Sequence, residues 1–207
     1  MHRFDEAYYE RLTEKVAAVE LCTSAEIVVV VEPVSGHYRD VHLICASVLA
    51  YIGLLGILFG PWHQTEWTVA IDVVIFFLIG WGTSWWLPGL TRLLTSPKRR
   101  RKQVEAAANA AFVRDKVGTT RARTGLLIYV SWLEQTTIVR TDTGVMVAVV
   151  AQDWGHAVDK IRHMFRQPDP GKALLEGLDM LCLVLGRCLP SSEDNPNELP
   201  DRPRRQP

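Results

Sequence analysis

The chain has 207 residues and a mass of 23.3 kDa, enough for one domain or a small domain with an added element. Its 23 basic and 23 acidic residues cancel, so no overall field draws it toward nucleic acid or acidic ligands. The four cysteines, Cys22, Cys45, Cys182 and Cys188, include no C-x-x-C pair, which argues against a structural zinc site or disulfide framework and for a reducing compartment. Hydrophobic residues make up 48% of the chain, and their concentration in one block argues against a wholly soluble protein.

Phe4 to Leu21 reads as an amphipathic helix: Phe4, Tyr8, Leu12, Val16 and Val19 recur at helical spacing, with Asp5, Glu6 and Glu10 in the first turns. The charge of this stretch predicts no cleaved leader. The β-branched run of residues 25–32, closed by Pro33, predicts a strand buried on both faces.

Leu43 to Gly60 then gives 18 residues without a charge, and Thr68 to Leu87 gives 20 with only Asp72. A spanning helix needs about 20 apolar residues, at about 1.5 Å each, to cross a hydrocarbon core about 30 Å thick. Trp62, Trp67, Trp81, Trp85 and Trp86 sit near the segment ends, where an amphipathic indole favours the interface. The short connection Pro61–Trp67 predicts a transmembrane hairpin within residues 41–90, spanning 43–60 and 68–87. Gly56-x-x-x-Gly60 and Gly80-x-x-x-Ser84 suggest close helix packing. The connection carries no Lys or Arg, whereas Arg39, Arg92 and the run Lys98, Arg99, Arg100, Arg101 and Lys102 flank the spans. Positive charge stays on the cytoplasmic side, so both termini are expected there, with Gln64 outside, in an inner membrane. The basic run is expected to meet anionic lipid headgroups of the bilayer, and it lacks the aromatic interleaving of a nucleic-acid surface.

Beyond the hairpin, Gln103–Val117 predicts an Ala-rich helix, Gly125–Ser131 a buried strand and Gln135–Thr141 a half-exposed third strand. A helical region follows from about Val145, with Trp154, Val158, Ile161 and Phe165 as its buried stripe, and Lys172–Leu189 forms a last helix. Residues 190–207 contain five prolines and are expected to be a disordered tail. A lone strand before the hairpin is not stable by itself. The expectation is therefore one α/β domain in two parts, residues 1–40 and 98–189, with a small central sheet flanked by helices and the hairpin inserted between them. An even number of crossings brings both parts to one side.

The helix and Ala25-Glu26-Ile27-Val28-Val29-Val30-Val31, followed by Arg123-Thr124-Gly125-Leu126-Leu127-Ile128-Tyr129-Val130-Ser131, Glu134 and Asp142-Thr143-Gly144-Val145, resemble the TPM domain family over residues 4–35 and 105–188. The inserted hairpin resembles that of the family's membrane-embedded bacterial subset. The resemblance implies an α/β/α sandwich, a role in maintaining a membrane component through a membrane-protein partner and, in some members, metal-dependent acid phosphatase activity. It points to Arg121, Arg123, Thr124, Asp142 and Asp153 as the positions matching the family's site. Arginines at 121 and 123 supply no oxygen ligands, so no metal and no cofactor is expected. Two guanidinium groups beside hydroxyls could instead fork around a phosphate, or simply pair with Glu134 or Asp142. These alternatives correspond to a phosphohydrolase and to a non-enzymatic binding protein; no catalytic residue stands out.

His156, Asp159 and His163 have spacings that invite a metal, but the buried stripe places them on the wet face. Cys182 and Cys188 read as core thiols.

Overall fold

The computed structural model describes residues 4–61, 65–149, 151–191, 199 and 203–205. Trp62 and Gln64 lie outside these residues, as does most of the proline-rich tail. The chain forms two compact units, Met1–Ser35 with Arg101–Pro207, and Gly36–Arg100.

In the first unit, helix α1 (Glu6–Cys22) starts on Asp5, whose carboxylate accepts from the Tyr8 amide at 2.8 Å and caps the free end. Strand β1 (Glu26–Glu32) follows, with every residue buried. After residue 100 the unit resumes within an Ala-rich helix (Pro97–Arg114), then strands β2 (Gly125–Ser131) and β3 (Thr136–Thr141). With a short strand β4 (Arg204–Arg205), the sheet order is β3-β2-β1-β4, with β1 and β2 parallel from Glu26↔Gly125 to Glu32↔Ser131 and β2 and β3 antiparallel. The two halves therefore meet in one sheet, as the interrupted-domain reading requires.

Alternation sorts the sheet's two faces. Ile27, Val29, Val31, Leu126, Ile128 and Val130 pack against α1 and the later helices, whereas Val28, Val30, Leu127 and Tyr129 pack against Val104, Ala108 and Ala111 of the Ala-rich helix. Small alanines let that helix lie close to the sheet. The expected single helical region from Val145 is two helices, Thr143–Ala148 and Ala151–Arg162, with extended backbone at Val149 between them. The stripe of Trp154, Val158, Ile161 and Phe165 does pack on the core, with Phe165 carried past the helix end by a 3₁₀ turn, Met164–Arg166. The last helix, Pro170–Cys188, begins with Pro170 and the Asp169 cap.

The tail departs from its expected disorder wherever it is described. Pro190 bridges Thr23, the Leu199 amide donates to the Glu26 carboxylate at 3.1 Å, and β4 (Arg204–Arg205) runs parallel to β1 beside Val30 and Val31. The reason is the open edge of β1: its peptide groups need partners, and an extended Pro-rich segment with few apolar side chains can still supply them.

The second unit holds two 21-residue helices, Arg39–Phe59 and Glu66–Trp86, whose length and mean hydropathies of 2.3 and 1.6 suffice to cross a membrane. They pack through Gly80-x-x-x-Ser84, the two buried residues of the second helix: a Cβ on Gly80 would lie 2.8 Å from the Ala46 Cα. Ser84 hydrogen-bonds His42 across the pair. Gly56-x-x-x-Gly60 takes no part in this contact. A Cβ at Gly56 would have open space around it, and the contact on that helix is made instead by Gly53, against the Phe76 ring. A short helix (Pro88–Leu94) follows.

A Cβ at Gly125 would collide with the Val117 carbonyl, while one at Gly155 would meet nothing. Gly125→Ala is expected to cost about 1–3 kcal/mol through overpacking, and Gly155→Ala to be neutral or stabilising by up to about 1 kcal/mol. Urea midpoints of the two variants in detergent check this.

Candidate functional site

The residues expected to carry chemistry gather at the end of the sheet where β1 and β2 begin. The segment 120–124 turns there: Thr120 Oγ1 accepts from the Thr124 amide at 3.0 Å, and Arg123 takes a left-handed φ of 57°. Thr124 is buried, and its hydroxyl donates to the Ser24 carbonyl at 2.8 Å, tying the loop to the start of β1. Asp142 caps the following helix by accepting from the Thr143 amide at 2.7 Å. Arg123 donates to the Gly118 carbonyl at 3.2 Å and stands 3.8 Å from the Asp142 carboxylate. Gly144 fits only because it has no side chain, since a Cβ there would lie 2.5 Å from the Ala122 carbonyl oxygen.

Of the five candidates, the structure thus brings Arg123, Thr124 and Asp142 together, through bonds within the fold. Arg121 is exposed on the same loop, and Asp153 is exposed on the first turn of the helix Ala151–Arg162. The arginine pairing expected with Glu134 or Asp142 is made by Arg123 with Asp142. His156, Asp159 and His163 are exposed, and among the described residues no group of three metal-ligating side chains converges. In the basic run, Arg99 forms a two-point ion pair with Asp40, while Arg101 pairs with Glu105 at 3.0 Å. The Arg99 pair closes the base of the hairpin.

The opposite end of the sheet, at the carboxyl ends of the parallel strands, holds a polar network that sequence reasoning missed. Open α/β sheets place ligands at this end. Glu32 and Ser131 close β1 and β2 in register, on the same face as Tyr129. Ser35 Oγ donates to Ser131 Oγ at 2.7 Å and lies 3.1 Å from Tyr129 Oη. Ser131 donates in turn to the Glu134 carboxylate, which also accepts from the Ser35 amide at 3.1 Å. Arg114 reaches Glu32 at 3.9 Å and grips Asp115 with two bonds of 3.1 Å. Ser131 and Glu134 are both at least 97% buried. A legible signal was present: two apolar runs ending in Glu and Ser, with a tyrosine two residues before one of those ends.

Burial, reinforced by Glu32 and Glu134 and opposed by the Ser35 hydrogen bond, pushes the Tyr129 phenol above its ordinary range. Burial and Asp169 do the same to Tyr8, which donates to the Gly171 carbonyl at 2.8 Å. An apolar cavity of about 290 Å³ lies in the other unit, among Ile44, Val48, Ile52, Leu90 and Leu94.

No family model and no curated protein matches the chain. Its fold is similar to the NMR structure of the BA42 protein from the psychrophilic bacterium Bizionia argentinensis, with a TM-score of 0.60 and 16% identity over 99% of this chain and 97% of that one. At that identity the likeness is one of fold alone.

An unfolded tyrosine releases its proton near pH 10, whereas folded Tyr8 and Tyr129 keep theirs to higher pH. Their contribution is complete below about pH 10 and is lost as the pH climbs past it. Denaturation midpoints between about pH 8 and 11 are expected to fall for the native chain and to fall less for Tyr129→Phe.

Proposed function

We propose that this chain is an integral inner-membrane protein whose cytoplasmic, TPM-like domain is a non-enzymatic binding module for another membrane component. The observation that carries the proposal is the exposure of large apolar side chains along both long helices. Ile44, Val48, Tyr51, Ile52 and Leu58 on the first, and Ile71, Val74, Leu78 and Ile79 on the second, are each at least 47% exposed. Leaving a Leu or Ile in water rather than burying it costs about 1.5–3 kcal/mol, so a double row of them calls for an apolar solvent. Only 28% and 11% of the two apolar windows are buried within the protein.

The β1–β2 pairing supports the topology. Strands on either side of the hairpin share one sheet and so share one compartment, as two crossings provide. The flanking cations favour the cytoplasmic side. A binding role is supported by how the candidate side chains are used: Arg123, Thr124 and Asp142 are spent on bonds within the fold.

With a membrane-impermeant thiol reagent, Thr65→Cys is expected to label in intact cells and Arg100→Cys only after lysis; labelling of position 100 in intact cells overturns the topology. The purified protein is expected to turn over no phosphomonoester, with or without divalent metal. Turnover that is lost in Arg121→Ala would replace the binding role with a hydrolase.

A further inference from the structure

Helix α1 and the last helix, Pro170–Cys188, run side by side in parallel, and three contacts set their register. Tyr8 donates to the Gly171 carbonyl, Lys15 pairs with Asp179, and a Cβ at Gly186 would lie 3.2 Å from the Cys22 carbonyl oxygen and 3.9 Å from its Cβ. A side chain at position 186 would press on Cys22, which would have to give by a few tenths of an ångström. Helical side chains lean toward the N-terminus over the preceding turn. Cys22 does so, its Sγ donating to the Ala18 carbonyl at 3.3 Å. Cys182, one turn before Gly186 and three residues after Asp179, stands at that same level. That level makes the two thiols neighbours across the helix pair, close enough for Cys22 to act on the Cys182 thiol. Cys22 is exposed, Cys182 half-buried, and neither is bonded to another cysteine.

We infer that Cys22 and Cys182 are an oxidation site, forming a reversible disulfide with a low-molecular-weight disulfide as oxidant. The Cys22 thiolate attacks one sulfur of the oxidant and expels the first thiolate, leaving a mixed disulfide. The Cys182 sulfur then attacks Cys22 Sγ and expels the second. Two protein thiols lose two electrons, the oxidant's S–S bond gains them, and the two protons pass to the departing thiolates. Burial, then the adjacent Cys22, pushes the Cys182 thiol up to about 11, so exchange begins at the exposed partner. The bond would staple α1 to the last helix just before Thr23, whose hydroxyl donates to the Leu189 carbonyl at 2.6 Å, and so would pin the point where the chain passes into β1.

The full chain, reduced, desalted in detergent and treated with oxidised glutathione, is digested without reduction and read by mass spectrometry. The expected result is a peptide pair joined through Cys22 and Cys182 and the loss of two of the four free thiols, both reversed by dithiothreitol. In Cys22→Ser no linked peptide containing Cys182 is expected. Glutathione left on Cys22 with Cys182 free, a Cys22–Cys188 link, or an unchanged thiol count overturns the inference.

Discussion

The parallel pairing of β1 with β2 is the interaction on which the rest depends. Both strands are buried along their whole length, so their peptide groups have no access to water and must bond each other. The strands come from opposite sides of a long apolar insertion; the first half has no other described strand to pair with β1, and in the second half β3 occupies only the far edge of β2. Folding of the first half is therefore contingent on the second. The pairing even outlasts the strands, since the amides of Trp132 and Leu133 donate to the carbonyls of Glu32 and Pro33 at 3.0 Å. Any insertion between β1 and β2 has to bring the chain back to the sheet it left, and a two-helix hairpin does so with one short connection.

Where the strands stop, the chemistry changes from apolar to polar, and the two ends differ. At the end where β1 and β2 begin, one ion pair and one helix cap hold the loops against the sheet. At the other end, serine hydroxyls, a tyrosine and carboxylates form a buried chain of bonds that fixes Ser35, the residue from which the chain departs toward the first long helix. A network of this kind is costly to leave half made, because each buried acceptor loses its water without replacement.

Helix packing repeats the logic of the strands. One helix from before the insertion, α1, lies parallel to the final helix of the chain, joined by Tyr8 to Gly171 and Lys15 to Asp179. The halves are thus bound twice, once through the sheet and once through this pair. The described part of the tail adds a third tie, with the Leu199 amide bonded to Glu26 and β4 on the free edge of β1.

Periodicity and composition were enough to read most elements, because those signals are local: the run 25–32 is β-branched, residues 125–131 are almost wholly apolar, and the two long apolar stretches are helical over 21 residues each. The division of the domain also followed locally, from a strand that cannot be stable alone. Tertiary structure decided what depends on encounters between distant residues. It placed Glu134 with Ser35 and Ser131, chose Gly53 over Gly56 for helix contact, and brought part of a proline-rich tail onto an open sheet edge. Cys22 and Cys182 likewise have no sequence relation; only the parallel register of their helices sets one thiol against the other. A side chain's type and period are written along the chain, but its partner is set by which surfaces must be buried together, and that is a property of the folded whole.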